Sequence, residues 1–262
     1  MNIDLNSKKA LVGAATQGIG AGIAAELAKC GASVTVMARN EEKLKSFVAS
    51  LPIINSDQKH QYLVADFSDF EKYKAIITQY FQNNSVDILV NNTNGPEPGI
   101  ALDKVVDDYQ KAFDLVFKVV CETTTLALPY MIRQKHGRII NVSSLSVKEP
   151  INNLVLSNSI RSATAAWAKT LANEVAQYNV TVNNILTGYF DTDRIKKLIA
   201  HEAEQSNVSP EEIKKGRESK IPMKRLGKIE EYGHLAAFLA SDYASYLTGT
   251  SIPLDGGLNN SY

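Results

Sequence analysis

The sequence predicts an α/β fold, a doubly wound parallel sheet with helices on both faces, and three observations predict it. Short apolar or β-branched runs recur along the chain, helical spacing of apolar residues fills the intervals between them, and a small glycine-containing turn joins the first run to the first helix. Strands that alternate with helices pair in parallel through right-handed crossovers. With 262 residues, 44% of them hydrophobic, the chain can bury the core of one large domain, and no stretch reads as a linker, repeat or low-complexity tract.

Ala10, Leu11 and Val12 make the first strand. The turn Gly13 to Gly20 follows, and Ile19, Ile23 and Leu27 then set a helical spacing that ends at Gly31. A turn with almost no side chains lets the backbone approach a ligand, and the free N–H groups of the first helical turn face it as an anion site. Gly13, Thr16, Gln17, Gly18 and Ile19 are therefore candidate contacts of a pyrophosphate, although close helix–strand packing would ask for the same small residues. Ser33–Ala38 is the second strand. At its end stands Arg39 where dinucleotide sites that take a ribose 2′-OH carry a carboxylate, which points to a 2′-phosphate and so to NADP. A solvated loop charge is the plain alternative for Arg39.

The pattern continues with a helix over Glu41–Leu51, a strand over Gln61–Ala65 ending at Asp66, and a helix over Phe70–Phe81. A strand over Val86–Val90 then runs into Asn91, Asn92, Thr93, Asn94 and Gly95. Ligands of such sheets bind beyond the carboxyl ends of the strands, so Gly13–Gly20, Arg39, Asp66 and Asn91–Gly95, with Asn92 the cofactor candidate among them, converge on one crevice. A long helix is expected over Leu102–Gln134, a strand over Arg138–Val142, a second long helix from about Asn153 to Tyr178, and a strand over Val180–Leu186. Ala163, Ala165, Ala166 and Trp167 read as packing on that second helix. Residues 191–216 are polar, helical in pattern and without a strong apolar stripe, which suits a mobile lid over a small-molecule site and equally a solvated helical excursion. Ile229–Ala240 reads as a helix, Ser251–Leu254 as the last strand and Asp255, Gly256 and Gly257 as a turn.

Lysine plus arginine and aspartate plus glutamate each total 28, so no net charge draws the chain to nucleic acid or an anionic membrane surface, and a small-molecule substrate is the expected partner. Cys30 and Cys121 fall in helix-like stretches and read as structural thiols, and the four histidines show no metal-ligand spacing. Met1–Asn6 is not a basic-then-apolar leader and no apolar run of membrane-spanning length is evident, so the expectation is a cytoplasmic protein.

Several ordered motifs carry a resemblance to the short-chain dehydrogenase/reductase family over nearly the whole chain. ALVGAATQGIG resembles its cofactor loop, VDILVNN its fourth-strand motif and GRIINVSS its catalytic-serine strand, and KTLANEVA, VTVNNIL and the stretch from Met223 to Gly257 match its second half in order. The resemblance implies a Rossmann-type sheet, a nicotinamide cofactor, hydride transfer to or from a carbonyl or alcohol carbon, and homodimers or homotetramers packed through the two long helices. It also implies a catalytic serine, tyrosine, lysine and asparagine. The serine position holds Ser144. The tyrosine position holds Ser157, the lysine position Arg161 and the asparagine position Val116.

Three of those four roles are altered. A serine hydroxyl is a far poorer proton donor than a phenol of pKa about 10, and an arginine of pKa above about 12 does not share in proton transfer at working pH. Arg161 keeps a positive charge where the family's lysine meets the nicotinamide ribose, and its fork suits an oxyanion. Tyr189, just past the sixth strand, is a candidate replacement donor, with Lys148 behind it. Two readings follow: an NADP(H)-dependent oxidoreductase with a variant catalytic set, acting on a small or acyl-chain carbonyl, or a catalytically silent cofactor-binding relative used as sensor or assembly partner. Ala14 stands where the family's first loop glycine falls, Asn94 replaces a glycine of the fourth-strand motif, and Thr187 replaces the proline before Gly188.

Overall fold

The computed structural model describes residues 2–261. Seven parallel strands form one sheet, β1 (Lys9–Gly13), β2 (Ser33–Ala38), β3 (Gln61–Val64), β4 (Ile88–Asn91), β5 (Gly137–Ser144), β6 (Val180–Thr187) and β7 (Ser251–Leu254), in the order β3-β2-β1-β4-β5-β6-β7. Alternation along each strand feeds two cores. Ala10, Val12, Ile88, Val90 and Ile140 face one side, against α1 (Gly18–Lys29), α2 (Glu41–Ser50) and α9 (Ile229–Ala240). Leu11, Leu89, Ile139 and Val182 face the other, against α3 (Phe70–Asn83), α5 (Val119–Gln134) and α6 (Val155–Val175). Strands buried on both faces read as continuous apolar runs, which is what the sequence carries.

A row of amides crosses the sheet near its carboxyl edge. Asn91 Nδ2 donates to Asn141 Oδ1 (2.8 Å), Asn141 Nδ2 to Asn184 Oδ1 (2.9 Å), and Asn184 Nδ2 to Ser251 Oγ (3.1 Å). These residues are register partners in β4, β5, β6 and β7, so one polar line fixes the strand ends on which the site stands.

The long helix differs from expectation at both its start and its middle. It begins at Val106, since Ala101–Asp103 form a turn, and runs as α4 (Val106–Ala112), a π-helical segment (Phe113–Lys118) and α5. By length and composition Val106–Gln134 could cross a membrane, contrary to the expectation that no such stretch exists. Its Val119, Ala127 and Met131 are buried in the core with α3 and α6, so it acts here as a core helix. On α6, Ala165 is buried, Ala163 and Ala166 face outward, and Trp167 packs edge-on against Phe117. Both cysteines are free, with Cys30 at the C-terminal cap of α1.

The excursion after β6 folds into α7 (Asp193–Ser206) and α8 (Pro210–Lys220), and it has a stripe that the sequence reading passed over. Ile195, Ile199 and Ala203 recur at four-residue spacing and are buried, the first two with Ile221 and Leu226. Both ends of the excursion are pinned at one place. Phe190 and Gly227 form a parallel bridge in which Gly227 N donates to Tyr189 O (2.9 Å) and Asp191 N to Gly227 O (2.8 Å).

Candidate active site

The cofactor end of the crevice is built by close backbone approach. A β-carbon on Gly20 would fall 2.5 Å from Ala14 O and 2.7 Å from Asn92 Nδ2, and one on Gly13 would collide with the carbonyl of Asn92. Asn92 Nδ2 donates to Gly13 O (3.0 Å), which ties the loop after β4 to the turn after β1. The turn uses left-handed backbone at Ala14 (φ 45°) and Gly18 (φ 58°). Alanine there costs about 1–2 kcal/mol relative to an unstrained residue, so the shifted glycine spacing is absorbed as local strain while Gly13 meets the tighter steric demand. Gln17 precedes α1 in extended backbone and its side chain caps nothing, and the first turn of α1 carries no acidic residue. Its N–H groups are therefore available to a diphosphate. Thr16 and Ile19 are half-buried beside them.

Arg39 is exposed at the end of β2. Asp66 accepts from Ser68 N (2.9 Å) and Ser68 Oγ (2.7 Å), and these bonds, more than the nearby Arg39 charge, hold its carboxyl below the ordinary range. An open groove of about 470 Å³ runs from Thr16 along α2, lined by Lys43, Ser46 and Phe47. Lys43, in the first turn of the helix after Arg39, is a second cation there that the sequence reading did not single out. These features fit an adenosine 2′-phosphate.

At the reaction end, Ser144 closes β5 and caps the short helix Leu145–Val147, accepting from Ser146 N (3.1 Å). That bond uses an oxygen lone pair and leaves the hydroxyl proton free to donate. Ser157 and Arg161 lie one turn apart on α6. Ser157 is buried, and Arg161 Nη1 donates to Val142 O (2.8 Å), which fixes the guanidinium over β5. Burial, and then the charge of Arg194, pull the Arg161 pKa down to about 10. Arg161 and Val116 also line an enclosed cavity of about 10 Å³ with Asn91, Asn141 and Thr164, about the size of one water. Val116 sits in the π-helical segment and packs with Ala112, Leu156 and Ile160, so the helix widens where the resemblance implies an asparagine, without the amide.

Tyr189, the candidate replacement donor, follows β6 and packs with the excursion. Its ring packs on the Ile195–Leu226 cluster, with Arg217 of α8 5.3 Å above its centroid. Lys148 is half-buried at the end of the short helix after Ser144. Thr187 has a structural role, since its hydroxyl pairs with buried Tyr232 (3.0 Å), whose phenol is raised by burial. The wall facing α6 is the loop Gly95–Ala101, stitched to it by Gly99 N to Asn153 O (2.8 Å) and Val155 N to Gly99 O (3.2 Å).

Comparison with known proteins agrees with this architecture. Residues 13–259 match the family model described as enoyl-(acyl carrier protein) reductase. The chain is 31% identical to the NADPH-dependent reductase BacG of Bacillus subtilis over 97% of its own length and 98% of that protein. It is 36% identical to the oxidoreductase UcpA of Escherichia coli, covering 97% of this chain and 95% of that one. The crystal structure of YwfH, an NADPH-dependent reductase involved in bacilysin biosynthesis, superposes with a TM-score of 0.90 at 31% identity, covering 97% of this chain and 99% of that one.

Proposed function

The chain belongs to the short-chain dehydrogenase/reductase family, and from that premise we propose that it is an NADP(H)-dependent oxidoreductase acting on a small carbonyl or alcohol through a variant catalytic set. The observation that supports the reading is the close-approach geometry of the cofactor crevice, with Ser144 closing β5, the strand over which Arg161 is held, and Ser157 one turn before Arg161 on α6. Gly13, Thr16, Gln17, Gly18, Ile19 and Asn92 would hold the dinucleotide, with Arg39 and Lys43 on the 2′-phosphate. When bound, the nicotinamide supplies or takes the hydride.

The protein's own groups hold charge rather than relay a proton. Ser144 donates its hydroxyl proton to the substrate oxygen, and Ser157 offers a second hydroxyl from α6. Arg161 faces the negative charge that develops on that oxygen, and it is preorganised by its bond to Val142. The Tyr-to-lysine route is missing, so water reaching the crevice delivers the final proton. General acid–base catalysis is worth roughly 10²- to 10⁴-fold, and turnover is expected to be slow by about that factor.

The test is NADPH oxidation over a panel of ketones, quinones and acyl thioesters, paired with Arg39→Ala. Turnover of at least one carbonyl is expected, and the variant should weaken NADPH binding tenfold or more while leaving NADH nearly unchanged. Retained cofactor binding with no turnover across the panel would leave the silent, cofactor-binding reading in its place. An equal loss for both cofactors would remove the 2′-phosphate role of Arg39.

A further inference from the structure

Two arginines face the crevice with no carboxylate beside them. Arg138, Arg217 and Arg225 are paired with Asp242, Glu202 and Glu231, but among the described residues neither Arg161 nor Arg194 makes an ion pair. Arg194 is the second residue of α7, at the base of the excursion, and it reaches back across the crevice to the loop after β4. A β-carbon on Gly95 would fall 2.5 Å from its Nη1 and 2.7 Å from its Nη2, so the glycine makes room for the guanidinium. The preceding Thr192 stands over Gly18, its methyl 3.5 Å from where a β-carbon would be. Arg194 is solvent-accessible yet enclosed enough by the crevice walls that burial lowers its pKa, and its charge is felt at Arg161. Two cations that repel one another at a ligand crevice are stabilised by an anion between them.

The position of that anion follows from the sheet. The diphosphate site is at the N-terminus of α1, beyond β1, whereas Arg161 is tied to Val142 on β5, two strands away across β4. Two strand spacings are roughly 10 Å, so an anion bound by Arg161 lies toward the reaction end, and the loop after β4, with Thr93 beside Arg161 and Gly95 beside Arg194, brings the second guanidinium to that end. A guanidinium has five N–H donors in a planar fork, and Val142 takes one of those of Arg161. The rest can meet a carboxylate and an adjacent carbonyl oxygen together.

We propose that Arg161 and Arg194 bind the carboxylate of the substrate, which makes the substrate a 2-oxo acid or the corresponding 2-hydroxy acid. The assignment rests on the reductase reading for its chemistry but not for its binding. Arg194 belongs to the excursion, so an anionic substrate also draws that segment onto the crevice.

Binding and turnover separate the two readings. Oxamate, an unreactive analogue of a 2-oxo acid, and its ethyl ester are titrated calorimetrically into the NADPH-saturated protein and into Arg194→Met and Arg194→Lys. Oxamate should bind at least tenfold more tightly than the ester. Arg194→Met should weaken oxamate by about 10- to 100-fold without changing NADPH affinity, and Arg194→Lys should recover part of the loss. With 2-oxo acids as substrates, the same variant should raise KM far more than it lowers kcat, and methyl esters should not sense it. The proposal is overturned if oxamate does not bind, if it binds like its ester, if Arg194→Met leaves it unchanged, or if that variant weakens NADPH instead. Oxamate binding as described with no 2-oxo acid reduced would leave the anion site standing and remove the reductase reading.

Discussion

Ser157 and Arg161 are where this chain parts from its family, and their surroundings say how reversible the change is. Arg161 is held by Val142 O, and Ser157 is buried one turn before it with Ser144 on the neighbouring strand end. The supporting strands, the serine and the cofactor loop are all in place, so the pair Ser157→Tyr with Arg161→Lys should restore a phenol next to an ammonium that lowers its pKa. We expect carbonyl reduction by that double variant to rise, by up to about 10²- to 10⁴-fold, with Arg161→Lys alone giving little. Unchanged kcat in the double variant would mean that the pocket no longer admits a phenol at that place. The two positions could be counted off from flanking motifs in the sequence. Arg194 could not, because its approach to Gly95 exists only once the excursion has folded back, and an arginine in a polar helical stretch has no signal of its own.

Among the elements, the strands were the most legible, since burial on both faces leaves a continuous apolar run that needs no register to be read. The amide row was not. Asn91, Asn141 and Asn184 are visible as polar residues near strand ends, but their alignment depends on strand order and register, which one sequence does not supply. The row is the part of the sheet that a single side chain can break. Asn141→Leu removes the donor to Asn184 Oδ1 and one acceptor of Asn91 Nδ2, while Asn91 keeps Thr124 (3.0 Å). One buried amide oxygen is left unpaired, and the expected cost is about 1–3 kcal/mol, seen as a lower denaturation midpoint with an unchanged denaturant slope. Asn141→Leu combined with Asn184→Leu should cost less than the sum of the two single changes, because the second removes the orphan made by the first. Additive losses would show that the row does not act as a unit.

The whole molecule is one sheet bearing one helical excursion whose two ends meet at Phe190 and Gly227, and beside that junction lies a charge-dependent fastening. Arg225, just before the chain rejoins the body, donates from Nη2 to Glu231 Oε1 (2.6 Å) and from Nη1 to Oε2 (2.8 Å), while Lys228 N also donates to Oε2 (2.8 Å). The bond from Arg225, then that from Lys228 N, pull the Glu231 carboxyl from 4.5 to about 2. A folded-state value below the unfolded one means that the contribution is present above pH 4.5 and is lost as pH falls from there through 2. The pair is exposed to solvent, so water and salt screen it, and its effect falls on local opening of residues 191–226 rather than on global stability. Glu231→Gln keeps the acceptor for Lys228 N and removes only the charge. At pH 7 that variant should exchange amide hydrogens in α7 and α8 faster than the wild type while β1 and β4 remain unchanged, and limited proteolysis should cut first in the same segment. The difference should shrink as pH falls below 4.5, be largely gone near 2, where about half of the wild-type carboxyl is protonated, and vanish below that, and it should narrow in high salt at pH 7. Faster exchange spread evenly over the sheet would make the ion pair part of global stability rather than a local fastening, and a difference undiminished between pH 4.5 and pH 2 would show that the charge is not its cause.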